Sequence, residues 1–196
     1  TMSYKIITIS RQFACGGSEI GKKLADRLGI KCYDREIISK VAEESGLCEK
    51  FVEEKGEYGN RLAIENFFST GIYYNGPSIE DSIWALQHKI ITEIAEKEPC
   101  VIIGRCADYV LKNRSDVLNV FIHADKAYRM DRLQNESEEK IVDPERYLKE
   151  MDKKRASYVQ FYTDIQWGVA KNYDITLDSS ALGVDKCVEI LSELYK

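Results

Sequence analysis

The chain has 196 residues, of which 44% are hydrophobic and 31% are charged, and its formal net charge at pH 7 is −5. This composition excludes a disordered or fibrous protein and predicts a single domain over residues 1–196. The negative charge argues against a nucleic-acid partner, and because no apolar run approaches the ~20 residues of a membrane span and no signal peptide pattern is seen, we expect a cytosolic protein without membrane contact.

Hydrophobic periodicity predicts strands that alternate with helices, which is typical of an α/β protein whose parallel sheet is covered on both faces. Ser78 and Asp34 are suited to helix N-caps, and Gly29 is suited to a C-cap. The predicted strands are 5–10, 31–33, 100–104, 117–122 and 173–177. The predicted helices are 18–28, 35–45, 78–97, 105–113, 125–135, 143–166 and 183–195.

The first strand ends in a polar turn that contains glycines and leads directly into a helix. Backbone amides in such a turn, together with the helix N-terminus, bind phosphate groups. The common form of this loop, GxxxxGK[ST], requires a lysine and a hydroxyl that this sequence does not place where expected. The sequence therefore predicts an unusual phosphate-binding loop, formed by Ala14, Cys15, Gly16, Gly17, Ser18 and Glu19.

Several charged residues near the predicted strand ends are candidates for contacts with phosphate. Arg11 stands at the end of a buried strand, where its side chain enters the ligand crevice. Arg105 follows the third strand and a glycine, where its guanidinium either grips a phosphate or forms an ion pair. Lys22 and Lys23 fit either phosphate contacts or a solvated helix face. Glu19 fits either a water-mediated Mg²⁺ ligand or an acid that favours the helix dipole.

Six cysteines are scattered along the chain without a CxxC pair, which predicts free intracellular thiols. Cys15 has two interpretations: a thiol whose pKa is lowered beside a helix N-terminus, or a small residue that fills the loop. His88 and His123 are far apart in the sequence and have no partners at metal-like spacing. We interpret both as structural or surface residues.

The stretch 47–77 is the least regular part of the sequence. Aromatic residues are concentrated in its tail, over 67–77. Since aromatic side chains favour interfaces and cores alike, the tail fits a mobile substrate cover, a dimer contact or plain packing. The sequence does not choose among the three.

Four sequence blocks, in this order, resemble the cytidylate kinase-like branch of the P-loop nucleotide kinases. The resemblance extends from Lys5 to about Leu194. It implies a three-layer P-loop NTPase fold, in which helices flank a five-stranded parallel sheet of order 2-3-1-4-5 and the ligand binds at the carboxyl ends of the strands. The blocks are the loop at 10–25, Tyr33-Asp34-Arg35-Glu36-Ile37, Ile103-Gly104-Arg105, and residues 172–179 followed by Leu182-Gly183.

The resemblance also implies roles for particular residues. The position of the phosphate-binding lysine falls on Gly17, and that of the magnesium-binding hydroxyl falls on Glu19, so positive charge has to come from elsewhere. Asp34 and Arg35 are expected to bind the acceptor, and Arg129 and Arg132 the donor nucleotide. A lid-like helical region is expected over about 136–170. The expected catalytic cations are Arg11, Arg105, Lys154 and Arg155.

The reaction implied by the resemblance is Mg-ATP-dependent phosphoryl transfer to a nucleoside monophosphate, CMP or dCMP. Its cofactors are ATP and Mg²⁺, its partners are small-molecule nucleotides, and a homodimer is left open. One alternative is a non-catalytic nucleotide- or phosphate-binding regulator, for which Gly17 and Glu19 argue. Another is a kinase of a non-nucleotide small molecule, whose acceptor pocket is altered by the 47–77 stretch.

Overall fold

The computed structural model describes residues 4–55, 78–137 and 140–195. Its strands are β1 Ile6–Arg11, β2 Lys31–Tyr33, β3 Cys100–Ile103, β4 Val117–His123 and β5 Ile175–Asp178. Its helices are α1 Gly17–Leu28, α2 Arg35–Ser45, α3 Glu49–Lys55, α4 Ile79–Lys97, α5 Ala107–Val110, α6 Lys126–Glu136, α7 Pro144–Thr163, α8 Ser179–Leu182 and α9 Val184–Leu194, with a 3-10 turn over Ala170–Asn172.

The five strands form one parallel sheet in the order β2-β3-β1-β4-β5, which confirms the predicted fold class and strand order. All residues of the central strand β1 are buried. Ile7 and Ile9 belong to the core that α1 and α9 cover, whereas Ile6 belongs to the core on the other face, with α2 and α4. The continuous apolar run in β1 follows from this coverage, because each face of the strand meets a helical layer.

Three predicted elements differ from the structure by more than one residue at an end. The helix predicted over 105–113 is only Ala107–Val110, because Gly104, Arg105 and Cys106 all have positive φ, which is incompatible with a right-handed helix. The long helix α7 ends at Thr163, since Asp164 is left-handed. Strand β5 begins at Ile175 rather than 173, because the 3-10 turn over Ala170–Asn172 comes first.

The helix ends agree in part with the sequence analysis. The Ser78 side chain accepts a hydrogen bond from the Asp81 amide, 3.1 Å away, and Gly29 is a left-handed C-cap, as predicted. Asp34 occupies the N-cap position of α2, as predicted, but its side chain makes no capping hydrogen bond there. Instead the Asp34 amide donates to the Glu36 carboxylate, 3.0 Å away.

The cysteines, the apolar character of the helices and the 47–77 stretch can also be compared with the sequence analysis. All six cysteines are free, as predicted. Among the described residues, none of the helices combines the length and the apolar character that crossing a membrane requires. The stretch predicted to be least regular contains α3, Glu49–Lys55, and its aromatic-rich tail over 67–77 lies outside the described residues.

Gly21 allows α1 to lie directly on the sheet below the loop. A Cβ at this position would come within 2.7 Å of Ile103 Cδ1 and 3.2 Å of Ile9 Cδ1, both in a fully buried core. We expect Gly21→Ala to lower the free energy of unfolding by about 1–2 kcal/mol, because overpacking outweighs the gain in helix propensity. Urea denaturation measures this, with Lys22→Ala as the exposed control on the same helix. Equal or greater stability of Gly21→Ala would contradict the prediction.

Candidate active site

A cleft of about 670 Å³ opens at the carboxyl edge of the sheet, where β1 leads into α1. It brings together predicted residues from distant parts of the chain. Lys154 and Arg129 are outside its lining, and Lys154 is half-buried on α7. The predicted site residues that line the cleft are Arg11, Ala14, Cys15, Gly16, Gly17, Ser18, Glu19, Asp34, Arg35, Arg105, Arg132 and Arg155.

The loop between β1 and α1 has the backbone of an anion site. Ala14 and Gly16 adopt left-handed conformations, with φ of 57° and 81°. Left-handed residues in such a turn form the concave backbone nests that bind phosphate. Gly16 also caps α1, whose N-terminus adds the favourable end of the helix dipole. The loop therefore has the backbone geometry of a phosphate site although it lacks the usual lysine.

The Cys15 thiol fills the base of this loop. It is fully buried and lies 3.4 Å from the Ile122 carbonyl oxygen, to which it donates a hydrogen bond. Burial raises the pKa of Cys15, and this effect outweighs the nearby arginines, which lower it. Of the two interpretations from the sequence, the structure supports the loop-filling residue. The Cys15 carbonyl accepts a hydrogen bond of 2.6 Å from Ser179 Oγ, which fixes the loop to α8.

The first half of the loop is fixed by an ion pair between α6 and α7. Asp152 Oδ1 accepts a hydrogen bond from the Phe13 amide at 2.8 Å, and Arg129 Nε donates one to the Phe13 carbonyl at 2.8 Å. The two side chains also pair with each other at 2.5 Å. Because the Arg129 side chain is only 7% exposed, this pair is largely shielded from water. We call the Asp152–Arg129 pair with the Phe13 backbone the loop clamp.

Arg155 adds a second contact from α7 to the same segment. Its Nη1 donates to the carbonyl oxygen of Arg11 at 3.0 Å, and its guanidinium lies 5.3 Å from the centre of the Phe13 ring. Arg155 is buried but still lines the cleft. Helix α7, which begins within the predicted lid region, is thus attached to the phosphate-binding loop in this structure.

Glu19 lies in a network of charges at the start of α1. Its carboxylate pairs with Arg132 at 3.0 Å and with Lys23 at 3.1 Å. Partial burial opposes its ionisation, but the hydrogen bonds from Lys23 and Arg132 outweigh burial, so the pKa of Glu19 lies below its ordinary value. Arg132 also pairs with Glu136. The acid at the position of the usual hydroxyl is therefore already paired with two cations, and Lys23 also pairs with Asp185 at 3.0 Å.

The lowered pKa of Glu19 predicts a pH-dependent contribution to stability. The contribution is complete above the unfolded-state pKa, about 4.5, and is lost as the pH falls through the lower folded-state pKa. We expect Glu19→Gln to cost less than about 1 kcal/mol near pH 7, since the carboxylate is partly exposed. Urea unfolding of both proteins between about pH 3.5 and 7 measures the difference, which should shrink below about pH 4.5. A difference independent of pH would contradict this assignment.

Arg105 is presented to the cleft by an unusual backbone. Gly104, Arg105 and Cys106 are successive left-handed residues, with φ of 69°, 57° and 53°. This conformation costs energy for residues with a side chain and is concentrated at functional sites. Arg105 is only 4% exposed, although it lines the cleft. The turn directs a buried guanidinium to the place where β3 ends.

Asp34 and Arg35 lie on the opposite side of the cleft, where β2 leads into α2. Arg35 reaches Glu53 of α3 at 3.5 Å, and both side chains line the cleft. The Arg35 side chain is 82% exposed and is therefore accessible to a ligand. The site thus has a loop side rich in arginine and a second side with charges of both signs.

Sequence reasoning missed Asp152, whose carboxylate completes the loop clamp. Its position three residues before Arg155 places both on one face of α7, which is the signal that could have linked them. It also missed Ser179, which bonds to the Cys15 carbonyl from a position 164 residues away in the sequence. No local pattern indicates that contact.

Comparison with known proteins agrees with this geometry. A curated cytidylate kinase from Methanosarcina mazei is 28% identical over 191 residues, covering 94% of this chain and 93% of the relative. An uncharacterized protein from Eubacterium ventriosum has a solved structure with a TM-score of 0.72 and 27% identity, covering 97% of each chain. The shikimate kinase of Bacteroides thetaiotaomicron, at 17% identity, shares the fold with a TM-score of 0.57, covering 96% and 97% of the two chains.

The family pattern extends over most of the described fold. The pattern of the cytidylate kinase-like family matches residues 6–181, from the start of β1 to within α8. This range includes the loop, Asp34, Arg105 and the loop clamp. The chain therefore belongs to the cytidylate kinase-like family, whose fold here is that of the P-loop kinases.

Proposed function

We propose that this protein transfers the γ-phosphoryl group of Mg-ATP to a nucleoside monophosphate, CMP or dCMP. The observation that carries the proposal is one cleft that is lined by the loop between β1 and α1, by Arg11, Arg105, Arg132 and Arg155, and by Asp34 and Arg35. Family membership and the cytidylate kinase from Methanosarcina mazei support a nucleotide substrate. Phosphoryl transfer requires positioning and positive charge more than covalent chemistry, and this cleft supplies both.

In the proposed reaction, an oxygen of the acceptor phosphate attacks the γ-phosphorus of ATP. The bond from the γ-phosphorus to the bridging oxygen breaks, and that oxygen leaves with ADP, so that ATP and CMP become ADP and CDP. Arg105 and Arg11 stabilise the negative charge on the transferring group. Asp34 and Arg35 orient the acceptor from the other side of the cleft. Arg132 leaves Glu19 to contact the donor phosphates.

The carboxylate of Glu19 in the cleft lining is of the kind that Mg²⁺ prefers. The described residues include no group of three His, Cys, Asp or Glu side chains suited to a metal. Mg²⁺ in kinases is commonly bound by one or two carboxylates, water and substrate phosphates. Glu19 is the carboxylate at the start of α1 and would hold the ion through water. When bound, the ion neutralises charge on the phosphates.

Two residues of the predicted set act less directly in this proposal. Arg129 is engaged with Asp152 and Phe13, so we propose that it acts on the donor nucleotide by positioning the loop. Lys154 is on the same helix as Arg155 but outside the cleft. We propose that it contacts the phosphates only after the 136–170 region closes over them, which would exclude water from the transfer.

A non-catalytic nucleotide-binding regulator is the second candidate. The observation in its favour is that glycine and glutamate occupy the positions of the catalytic lysine and hydroxyl, with Glu19 already paired to Arg132. A single lost charge contact in the transition state costs about 10²–10³ in rate. A regulator would keep ATP affinity without turnover.

Product formation from labelled ATP and Mg²⁺ tests the proposal against a panel of nucleoside monophosphates. ATP alone is the control for hydrolysis, and shikimate and other small hydroxyl compounds are the control for a non-nucleotide acceptor. We expect labelled CDP or dCDP as the main product. ATP binding without transfer to any acceptor would favour the regulator, and transfer to a non-nucleotide only would overturn the nucleotide assignment.

A further inference from the structure

The backbone conformation of Gly17 does not by itself require glycine. This residue begins α1 and lacks the positive φ of Gly16. A Cβ at residue 17 would lie 2.6 Å from Arg11 Cβ and 2.8 Å from Arg11 Cγ, which is closer than carbon atoms approach in proteins. These Arg11 atoms are next to the main chain of a central strand, so they cannot move aside easily. The stem of Arg11 therefore occupies the space in which any side chain at residue 17 would begin.

The same two positions are related by the phosphate-loop pattern. In GxxxxGK the first glycine stands six residues before the lysine. With the lysine position at Gly17, the position of that first glycine is Arg11. This chain thus has arginine where the pattern has glycine, and glycine where the pattern has the cation. The two exchanged residues are in contact in the structure.

We infer that glycine and the phosphate-binding cation have exchanged positions in this chain. The cation that binds the ATP phosphates is Arg11, at the end of β1, instead of a lysine at residue 17, at the start of α1. This inference rests on the proposed binding of ATP. Arg11 is 6% exposed, lines the cleft and is paired in register with Ile122 of β4. Arg155 fixes its carbonyl oxygen at 3.0 Å. The base of the side chain is therefore held rigidly, which favours a fixed guanidinium beside the phosphates.

The exchange explains why the usual lysine is absent. Lysine at residue 17 requires a Cβ in the space that Arg11 fills, whereas glycine at residue 11 would open that space. Each arrangement is therefore compatible with one cation and excludes the other. A guanidinium is permanently charged and can contact two phosphate oxygens at once, so the substitution of cation preserves the electrostatic role.

A four-protein cycle tests the exchange: the natural chain, Arg11→Gly, Gly17→Lys, and the double variant that carries both. We expect each single variant to lose about 10²–10³-fold in transfer rate and to bind ATP more weakly. Arg11→Gly loses its cation, and Gly17→Lys displaces Arg11. The double variant restores GxxxxGK. We expect its transfer rate and its affinity for ATP to be at least about tenfold higher than those of either single variant, because residues in direct contact act non-additively.

Isothermal titration with ATP is measured on all four proteins, beside the transfer assay and thermal unfolding. Binding separates the inference from the proposed function, because a chain that binds ATP but transfers nothing to nucleotides fails only the latter. Arg11→Lys, which keeps the charge, should bind ATP more tightly than Arg11→Gly. A folded double variant that binds ATP no better than Arg11→Gly would overturn the exchange, as would a natural chain that does not bind ATP.

Discussion

Arg105→Ala should lower kcat by about 10²–10³-fold, which is the cost of losing one charge contact in a transition state. The guanidinium is buried at the end of β3 and lines the cleft that contains the phosphate-binding loop. Its surroundings are largely shielded from water, so its charge is screened less than that of a surface arginine. The steady-state rate of transfer to CMP, at saturating ATP and CMP, measures the effect.

Three variants separate the charge of Arg105 from its strained backbone. Arg105→Lys keeps the charge but loses the planar fork, so we expect an intermediate loss. Arg105→Gly removes both the charge and the cost of a left-handed residue with a side chain, about 1 kcal/mol. Arg105→Gly should be as inactive as Arg105→Ala, but it should unfold at a higher urea concentration than Arg105→Ala. A kcat for Arg105→Ala within threefold of the natural chain would exclude a role in phosphoryl transfer.

Asp152→Ala should lower the free energy of unfolding by about 2–4 kcal/mol and raise the KM for ATP. Removal of one partner from a buried ion pair costs about 3–5 kcal/mol, and we expect somewhat less here because the Asp152 side chain is 19% exposed. The variant leaves the Arg129 charge without its carboxylate and the Phe13 amide without its acceptor. The loop clamp then no longer fixes the first half of the loop, so ATP has to order it on binding.

Control variants separate loss of the loop clamp from general damage to α7. Lys153→Ala changes the exposed neighbour and should alter stability by less than about 0.5 kcal/mol. Asp152→Asn keeps an oxygen that can accept from the Phe13 amide, so its effect should be smaller. In a double-mutant cycle with Arg129→Ala, we expect a coupling of more than about 1 kcal/mol. Additive effects would show that the two side chains do not act as a unit.

The periodicity of the sequence was sufficient to predict the central strands. Apolar runs at residues 5–10, 100–104 and 117–122 correspond to β1, β3 and β4, because a central parallel strand is buried on both faces and so lacks polar alternation. The glycine-containing turn after β1 was equally clear from local signals. The order of the strands came from resemblance, since periodicity alone does not specify which strands pair.

The candidate site was predictable where its residues adjoin an element end. Arg11 and Arg105 each follow or finish a buried strand, and the carboxyl ends of parallel strands meet at one edge of the sheet. The short α5 was not predictable in the same way. Residues 105–113 have a helical pattern, but Arg105 and Cys106 are left-handed in the folded protein. Tertiary packing overrode local propensity at this position.

By itself, the sequence determined the alternation of strands and helices, the phosphate-binding loop and the absence of its lysine, because these features depend on residues close together in the chain. Only the tertiary structure showed that Arg11 fills the space above Gly17, that Arg132 pairs with Glu19, and that Asp152 binds the Phe13 amide from 139 residues away. The contacts of Arg132 and Asp152 depend on the packing of α6 and α7 beside the loop, and packing between distant segments leaves no periodic pattern in the sequence. Arg11 and Gly17 are only six residues apart, but their contact depends on how the chain turns from β1 into α1.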